Sequence, residues 1–127
     1  MSSRGSPVAM GIVIVSTYPD KKSISKVAHV VVKRKLAACV NYAKINSIYS
    51  WKDKVEDVGE FLALFKTTAK SKQKLKEEIA KSHPYDVPEI VEIKMDDVSI
   101  PYMKWLAEST MGSKPKKRNH SSKRRNP

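Results

Sequence analysis

The segment Phe61-Leu62-Ala63-Leu64-Phe65 is the apolar centre of a longer stretch, Val55 to Thr68, that decides the fold. The preceding stretch, Val40 to Trp51, is also rich in β-branched and aromatic residues, which are enriched in strands. Lys52-Asp53-Lys54 separates the two stretches and suits a turn. The sequence therefore predicts a long β-hairpin.

Further strands and helices are predicted on both sides of this hairpin. Gly11 to Val15 is a continuous apolar run, typical of a strand that is buried on both faces. A helix follows Ser71 and should end near Ser82, because Pro84 cannot continue it. A fourth strand is predicted from Ile90 to Met95, followed by a short final helix. The first helix carries its apolar residues at helical spacing: Ile24, Val27, Ala28, Val31 and Leu36.

The order strand, helix, strand, strand, helix, strand corresponds to two split βαβ units. Right-handed crossovers that each leave room for an intervening strand place the strands in the spatial order four, one, three, two, all antiparallel. The predicted fold class is therefore α+β, a ferredoxin-like sandwich (βαββαβ) with an additional C-terminal helix.

The chain of 127 residues divides into a short N-terminal segment (1–10), one domain (11–112) and a basic tail (113–127). The chain holds 25 Lys and Arg against 13 Asp and Glu, but the tail holds seven of the bases and no acid. The tail lacks the apolar residues that would offset the entropy cost of ordering, so we expect it to be disordered, and we expect the same of the first ten residues. The tail suits contact with nucleic acid or an acidic membrane surface, although a solvated extension is the simpler interpretation.

Cys39 is the only cysteine, which excludes an internal disulfide and any site built from several cysteines. A lone thiol fits a reducing compartment. No stretch has the length of a transmembrane segment, and the N-terminus lacks the apolar run of a secretory signal. We therefore expect a cytoplasmic protein.

The hairpin leaves apolar side chains on both faces of the predicted sheet. Phe61 and Phe65 point one way and Leu62 points the other, whereas the two helices can cover only one face. The final helix can cover part of the second face, but a hairpin this long also leaves an edge that needs a partner. We therefore predict a closed homo-oligomer in which the sheets meet. The residues expected at its interface are Tyr49, Trp51, Phe61, Phe65 and Trp105.

A loop bounded by two prolines, His83-Pro84-Tyr85-Asp86-Val87-Pro88-Glu89, concentrates polar groups between the second helix and the fourth strand. Because proline fixes its own φ and biases the residue before it, these groups should be held in position. In the predicted topology this end of the sheet also holds the end of strand one. The residues expected to converge there are Ser16, Ser82, His83 and Glu89.

Lys66 is a charged residue on an apolar strand and requires a partner, for which Glu60, Glu89 or a bound anion is available. Lys66 and Cys39 belong to the opposite end of the predicted sheet from the proline loop. Only a neighbouring subunit could bring them close to that loop. The candidate intersubunit ligand pocket consists of Asn41, Lys66, Tyr85 and Glu89.

Several spaced motifs resemble the CutA family, also called divalent-cation tolerance proteins, over about Gly11 to Ser109. The resemblance implies a ferredoxin-like subunit in a tight homotrimer, similar to the PII signalling proteins. It implies a role in metal tolerance in microbes or, in animals, in membrane anchoring of acetylcholinesterase, and no firmly attached enzymatic activity. The motifs are Leu36-Ala37-Ala38-Cys39-Val40-Asn41, Ser47-Ile48-Tyr49-Ser50-Trp51, Glu60, Phe65-Lys66-Thr67-Thr68, the proline loop and Tyr102-Met103-Lys104-Trp105-Leu106.

The resemblance also implies a candidate copper site. The family's ligands are a cysteine ending strand one and adjacent histidines before the Pro-Tyr step, and these positions hold Ser16, Ser82 and His83 here. Loss of the thiolate removes the group that would select Cu(I). The candidate ligands for copper or another divalent cation are therefore His83 and Glu89, which make a weak site. The alternative is a histidine that hydrogen-bonds near the end of the second helix.

Two other classes of function stay open. A ferredoxin-like sheet with a basic tail is also how an RNA-recognition motif is built, and Gly59 to Phe65 has aromatic residues at alternate positions. The acid after the glycine and the missing base before it argue against base stacking. A small-ligand or catalytic pocket at the subunit boundary is the third class. No nucleophile and base set or Gly-rich phosphate loop is recognisable, so we expect a binding or regulatory protein and not an enzyme.

Overall fold

A computed structural model of the chain describes residues 10–110. The predicted disordered N-terminal segment, apart from Met10, and the predicted basic tail lie outside these residues. The elements are β1 (Gly11–Tyr18), α1 (Lys21–Lys33), β2 (Cys39–Trp51), β3 (Lys54–Thr68), α2 (Lys72–Ser82), β4 (Val91–Lys94) and α3 (Ile100–Glu108).

The four strands form one sheet in the order β2-β3-β1-β4, and every neighbouring pair is antiparallel. This order, with helices between strands, confirms the predicted α+β ferredoxin-like fold. The strand β4 is shorter by one residue at each end than the predicted Ile90 to Met95. The central strand β1 ends at Tyr18, and the chain turns there into α1.

The face of the sheet beneath α1 and α2, called the core face here, is fully packed. The register pairs Ile14 of β1 with Phe65 of β3, and neither side chain is exposed. The helix α1 begins after Asp20, whose carboxylate accepts a hydrogen bond from the Ser23 backbone N–H at 2.8 Å. Its buried residues are Ile24, Val27, Ala28 and Val31, as the spacing predicted.

The opposite face of the sheet, called the second face here, is apolar but open. Leu62 and Leu64 of β3 are half-buried on it. Val91 and Ile93 of the edge strand β4 are 45% and 50% exposed. The helix α3 covers only one end of this face, where Leu106 is fully buried close to Gly11. The apolar second face that the sequence predicted is therefore present.

The β2–β3 hairpin is longer than the strand beside it. Pairing of β3 with β1 stops at Phe61, whereas pairing of β3 with β2 continues to Lys54. Residues 45–51 and 54–60 thus form a hairpin arm that projects beyond β1 by about 20 Å. Lys52 and Asp53 close it with positive φ values of 52° and 66°, as a two-residue turn with the twist of the strands requires.

Ion pairs attach α2 to β4 at the edge of the sheet. Glu92 accepts hydrogen bonds from Lys72 at 2.6 Å and from Lys76 at 2.8 Å. These two bonds lower the pKa of the Glu92 carboxyl to about 2. Among residues 10–110, no helix is long and apolar enough to cross a membrane.

Candidate functional site

His83 lies directly after α2 in extended backbone conformation, with φ −72° and ψ 137°, because Pro84 disfavours helical geometry at this position. Its Nε2 lies 2.9 Å from the Thr17 carbonyl oxygen, which can only accept a hydrogen bond. Its Nδ1 lies 3.1 Å from the Tyr85 backbone N–H, which can only donate. The two contacts together require a neutral imidazole that carries its proton on Nε2.

The surroundings of His83 support the neutral form. Burial lowers the pKa of the imidazole, and the bond to the Thr17 carbonyl and the charge of Glu60 oppose only part of this effect. The ring stacks on Tyr18 with 4.2 Å between the centroids, and the Ser16 Oγ lies 3.2 Å from Nε2. The predicted convergence is thus confirmed for Ser16 and His83. It is wrong for Ser82, which is exposed and donates its hydroxyl to the Glu78 carbonyl within α2.

Tyr85 connects the proline loop to β3, because its backbone N–H contacts His83 and its hydroxyl contacts Glu60. Its hydroxyl donates to Glu60 Oε2 at 2.7 Å. Burial raises the pKa of Tyr85, and the hydrogen bond to Glu60 raises it further, so the phenol is protonated and can donate at neutral pH. Glu60 is itself only 6% exposed. This pair ties the proline loop to the base of the hairpin arm.

A cleft of about 640 Å³ opens beside this pair, between the hairpin arm and the proline loop, and is called the arm cleft here. Its wall combines aromatic, apolar and acidic side chains, and none of its lining residues is basic although the chain as a whole has a net charge of +12. The lining residues are Thr17, Ile45, Ser47, Ile48, Tyr49, Trp51, Glu60, Leu62, Tyr85, Asp86, Val87 and Glu89. Such a cavity suits a positively charged or amphipathic occupant.

A second cavity of about 540 Å³, called the lysine pocket here, lies at the other end of the second face under α3. Cys39 and Lys66 are cross-strand partners in it, and the Cys39 thiol donates weakly to Asn41 Oδ1 at 3.9 Å. Its lining residues are Val13, Cys39, Asn41, Lys66, Met95, Asp97, Val98 and Tyr102. The predicted ligand pocket is thus divided within one chain. Asn41 and Lys66 lie in the lysine pocket, and Tyr85 and Glu89 lie in the arm cleft.

The residues at His83 do not fit a copper site within one chain. Both ring nitrogens are engaged, and Nδ1, which carries the lone pair of this tautomer, accepts from the Tyr85 N–H. The neighbouring Ser16 supplies a hydroxyl where a soft metal ion would favour a thiolate. No group of three or more His, Cys, Asp or Glu that could hold a metal ion occurs within residues 10–110. The geometry favours the hydrogen-bonding interpretation of His83 over the ligand hypothesis.

The predicted interface role is wrong for Phe65, which is fully buried in the core of its own chain. Phe61 lies on the same core face, where it contacts Tyr42 edge to face with 6.2 Å between the centroids. The register explains the error, because it aligns Phe61 with Tyr18 and Phe65 with Ile14. The same placement removes the aromatic pair that base stacking on an open sheet would need.

The other three residues of the predicted interface have exposed surface. Trp51 and Tyr49 on the hairpin arm are 49% and 42% exposed. Trp105 of α3 is half-buried beside Tyr102, with 5.5 Å between the ring centroids. Their contact with another subunit stays a prediction.

The sequence did not predict the hydrogen bond between Glu60 and Tyr85, because it suggested Glu60 only as a partner for Lys66. In the structure Glu60 bonds to Tyr85 at one end of the sheet, and Lys66 lies at the other end. The signal that could have found this was the spacing, because residues 60 and 66 of one strand share a face but lie about 20 Å apart.

Comparison with known proteins places this fold in a defined family. Residues 12–109 match the family model described as "CutA1 divalent ion tolerance protein". The chain is 41% identical over 99 residues to the "Divalent-cation tolerance protein CutA" of Pyrococcus horikoshii, covering 78% of this chain and 97% of that protein. It is 38% identical over 100 residues to "Protein CutA, chloroplastic" of Arabidopsis thaliana, covering 78% of this chain and 55% of that protein.

Solved structures agree with the sequence match. The crystal structure of CutA1 from Oryza sativa superposes with a TM-score of 0.79 at 35% identity, covering 85% of this chain and all of that one. Both the sequence and the architecture therefore point to one assignment. The chain belongs to the CutA1 family.

Proposed function

We propose that this chain assembles as a closed, PII-like homotrimer and acts as a binding or regulatory protein in tolerance or homeostasis of divalent metal ions, copper among them. The observation that carries the proposal is the open second face. It combines an uncovered apolar sheet surface with a projecting arm, and both features require a partner of matching shape.

Burial on the second face supports self-association. Val91 and Ile93 expose about half of their surface on the same face as Leu62 and Leu64, and β1 lies between the two strands. A contiguous apolar surface of this kind marks an interaction site in a protein. Burial of it by copies of the same chain would lower the free energy of the assembly by the hydrophobic effect.

The hairpin arm supports a closed ring. It projects from one end of the sheet, where β3 pairs with β2 and no longer with β1, so the outer part of the arm has room for a surface of a neighbouring copy. Contacts between unlike surfaces are heterologous, and they generate a ring when the rotation closes. Three copies are the number that the family resemblance implies.

The role in cation tolerance is supported by the names of the relatives, of which the Pyrococcus protein is called a divalent-cation tolerance protein. The bonds at His83 favour a role in which no metal is held by that imidazole, and any copper contact would be weak. We also propose that the protein is not an enzyme and works in the cytoplasm, which the lone Cys39 thiol suits.

Complementation tests this function. Cells that lack the gene should grow less well than wild type in elevated copper, zinc or cobalt, and the intact chain should restore growth. A chain that cannot assemble, such as Ile93→Asp, should not restore it. Unchanged growth of the deletion strain in all three metals would contradict the proposed role.

Calorimetry tests the metal contact separately. Titration of the intact protein with Cu(II), Cu(I) and Zn(II) should show weak binding that is the same in the His83→Ala variant. Tight binding that is lost in His83→Ala, or in Glu89→Ala, would contradict the account of His83 as a hydrogen-bonding residue. A fluorescent fusion located outside the cytoplasm would contradict the proposed compartment.

A further inference from the structure

The helices α1 and α2 with their flanking residues (20–35 and 70–82), called the helix layer here, carry most of the positive charge of the domain. The helix layer holds eleven Lys and Arg against three Asp and Glu. The rest of residues 10–110 holds six Lys and Arg against ten Asp and Glu. The domain is therefore strongly dipolar, with a cationic helix layer and an excess of acids elsewhere.

One stripe of α1 is basic along its whole length and is called the basic stripe here. Its residues recur at helical spacing on the side of α1 opposite the buried residues, and all are exposed. No Asp or Glu occurs within α1 to interrupt the stripe. Its first and last members are about 16 Å apart along the helix axis. The residues are Lys22, Lys26, His29 and Lys33.

The charge of the basic stripe is not compensated within the part of the chain that the structure describes. None of its lysines forms an ion pair there. Other bases of the helix layer do, because Lys72 and Lys76 pair with Glu92, and Arg34 pairs with Glu78. The stripe therefore offers its full charge to a partner.

The basic stripe is electrostatically unfavourable for the helix that carries it. Like charges four residues apart, such as Lys22 and Lys26, destabilise a helix. The N-terminus of a helix is the positive end of its dipole, and Lys21 and Lys22 add further positive charge there. The stability of the fold therefore does not explain the stripe, which indicates a role in binding an anionic partner.

The shape of the surface favours an extended polyanion over a small anion. The stripe runs along the convex side of a helix, and neither the arm cleft nor the lysine pocket includes a residue of α1. A row of exposed charges without a cavity suits many weak contacts with a regular series of phosphates. The 13 residues of α1 extend over about 20 Å, which is the length of about six base pairs of a duplex.

Single-stranded nucleic acid and a membrane surface suit the helix layer less well. Unpaired bases stack on aromatic side chains, and α1 and α2 contain no Phe, Tyr or Trp. A membrane binds an amphipathic helix through its apolar face, but α1 buries this face in the core. Only Val30 and Val32 of α1 are apolar and exposed, at 36% and 40%. A duplex requires neither feature.

We infer that the basic stripe binds the phosphate backbone of double-stranded nucleic acid without reading its sequence. Lysine contacts phosphate as a point charge, and α1 contains no Asn, Gln or Arg that would bind base edges in a bidentate manner. The acidic remainder of the domain repels the duplex and directs it to the helix layer. This activity goes beyond the proposed assembly and does not depend on it, because the helix layer covers the core face and not the second face.

A salt titration of duplex binding tests the inference. The tail holds seven further bases, so every variant is made in a full-length background in which these seven are replaced by Gln. The probes are duplexes of about 20 base pairs of mixed sequence, one of DNA and one of RNA, followed by fluorescence anisotropy. Both should bind with a micromolar Kd at about 50 mM salt and agree within about threefold, because only phosphates are contacted.

Removal of the stripe should abolish most of this affinity. The triple variant Lys22→Gln, Lys26→Gln, Lys33→Gln removes three charges and keeps good helix formers. It should weaken binding at least about tenfold at about 100 mM salt. It should also reduce the slope of log K against log salt by about 2 to 3, since each phosphate contact contributes about 0.9. Far-UV circular dichroism verifies that the variant is folded.

A charge-matched control locates the effect on the stripe. Lys52→Gln, Lys54→Gln and Lys104→Gln together remove three exposed charges outside the helix layer and should leave both the affinity and the slope nearly unchanged. Equal weakening by the two triple variants would overturn the inference, because net charge would then govern binding. Absence of duplex binding in the tail-substituted background would assign the affinity to the tail and would overturn it as well.

Two competing ligands complete the test. Tighter binding of a single-stranded oligonucleotide of the same length, or of phosphatidylserine vesicles, would overturn the choice of a duplex. Sedimentation velocity on the same samples separates this inference from the proposed function. An assembly of the expected mass that binds no duplex would overturn only the inference, whereas a single subunit that binds duplex through the stripe would support it and contradict only the proposed assembly.

Discussion

The two faces of the sheet are built from the same strands, but only the core face is complete within one chain. Ile14 and Phe65 are fully buried beneath α1 and α2. One position along the same strands, Val15 and Leu64 are only half-buried, and Ile93 on the neighbouring strand is 50% exposed. The difference shows that alternate residues of one strand serve two purposes. One set stabilises the subunit, and the proposed assembly would bury the other.

The largest effect should come from the core face. Phe65→Ala removes a fully buried ring from contact with Ile14 and the helices, and it should lower the free energy of unfolding by about 3–5 kcal/mol. Leu64→Ala, one residue away, should cost the isolated subunit much less and act mainly on assembly. Urea unfolding at matched concentrations measures both. Equal losses for the two variants would remove the distinction between the faces.

A substitution on the second face should weaken assembly more than it destabilises the fold of the single chain. Ile93→Asp places a charge on a surface that we expect to be buried between copies, so it should weaken assembly at least about a hundredfold while the chain stays folded. Val30→Asp makes the same kind of change on the exposed side of α1 and should keep the wild-type mass. Native mass spectrometry distinguishes them, and an Ile93→Asp protein of unchanged mass would count against the account.

A smaller, pH-dependent effect is expected at the end of β1. Because burial lowers the pKa of His83 below 6.5 in the folded chain, the unfolded chain binds a proton more readily there. The contribution of neutral His83 to the stability of the fold is therefore present above pH 6.5. It is lost as the pH falls through the lower pKa that His83 has in the folded chain. Melting temperatures between pH 7.5 and 5 should decline in wild type and decline less in His83→Gln, which keeps a donor for the Thr17 carbonyl. An equal decline of the melting temperature in wild type and in His83→Gln would contradict the role of His83 in this pH dependence.

The smallest effect concerns the end of α1, on the helix side of the molecule. Lys35 has a φ of 62°, in the left-handed region where glycine is favoured after a helix. Lys35→Gly should raise the free energy of unfolding by about 0.5–1 kcal/mol without a change in mass. Lys26→Gly lies at an exposed position inside the helix and should lower the free energy of unfolding by a similar amount. Destabilisation by Lys35→Gly in a denaturant titration would contradict this interpretation.

The sequence was sufficient to predict the order of elements and the topology. Helical spacing in α1, the prolines around the loop and the turn at Lys52 and Asp53 are local signals, and the structure contains each feature close to the predicted position. The end of α1 was less well predicted. The chain leaves the helix after Lys33, and Leu36 reaches the core from beyond it, which helical spacing alone could not reveal.

The face of each β3 residue could not be assigned from alternation alone. Both sets, Phe61 with Phe65 and Leu62 with Leu64, are apolar, and a period of two does not say which set lies under the helices. The charges decide it, because Glu60 and Lys66 share a face with Leu62 and Leu64, and helices would exclude them from the core. Tertiary geometry alone revealed the path of the proline loop, and with it the bonds of His83 and Tyr85.

The most direct test of the account is the mass of the intact chain in solution. Static light scattering at micromolar dilution should give three times the 14.3 kDa of one chain, because the proposed assembly buries the second face. A well-folded particle with the mass of a single chain, stable under the same conditions, would contradict the central claim.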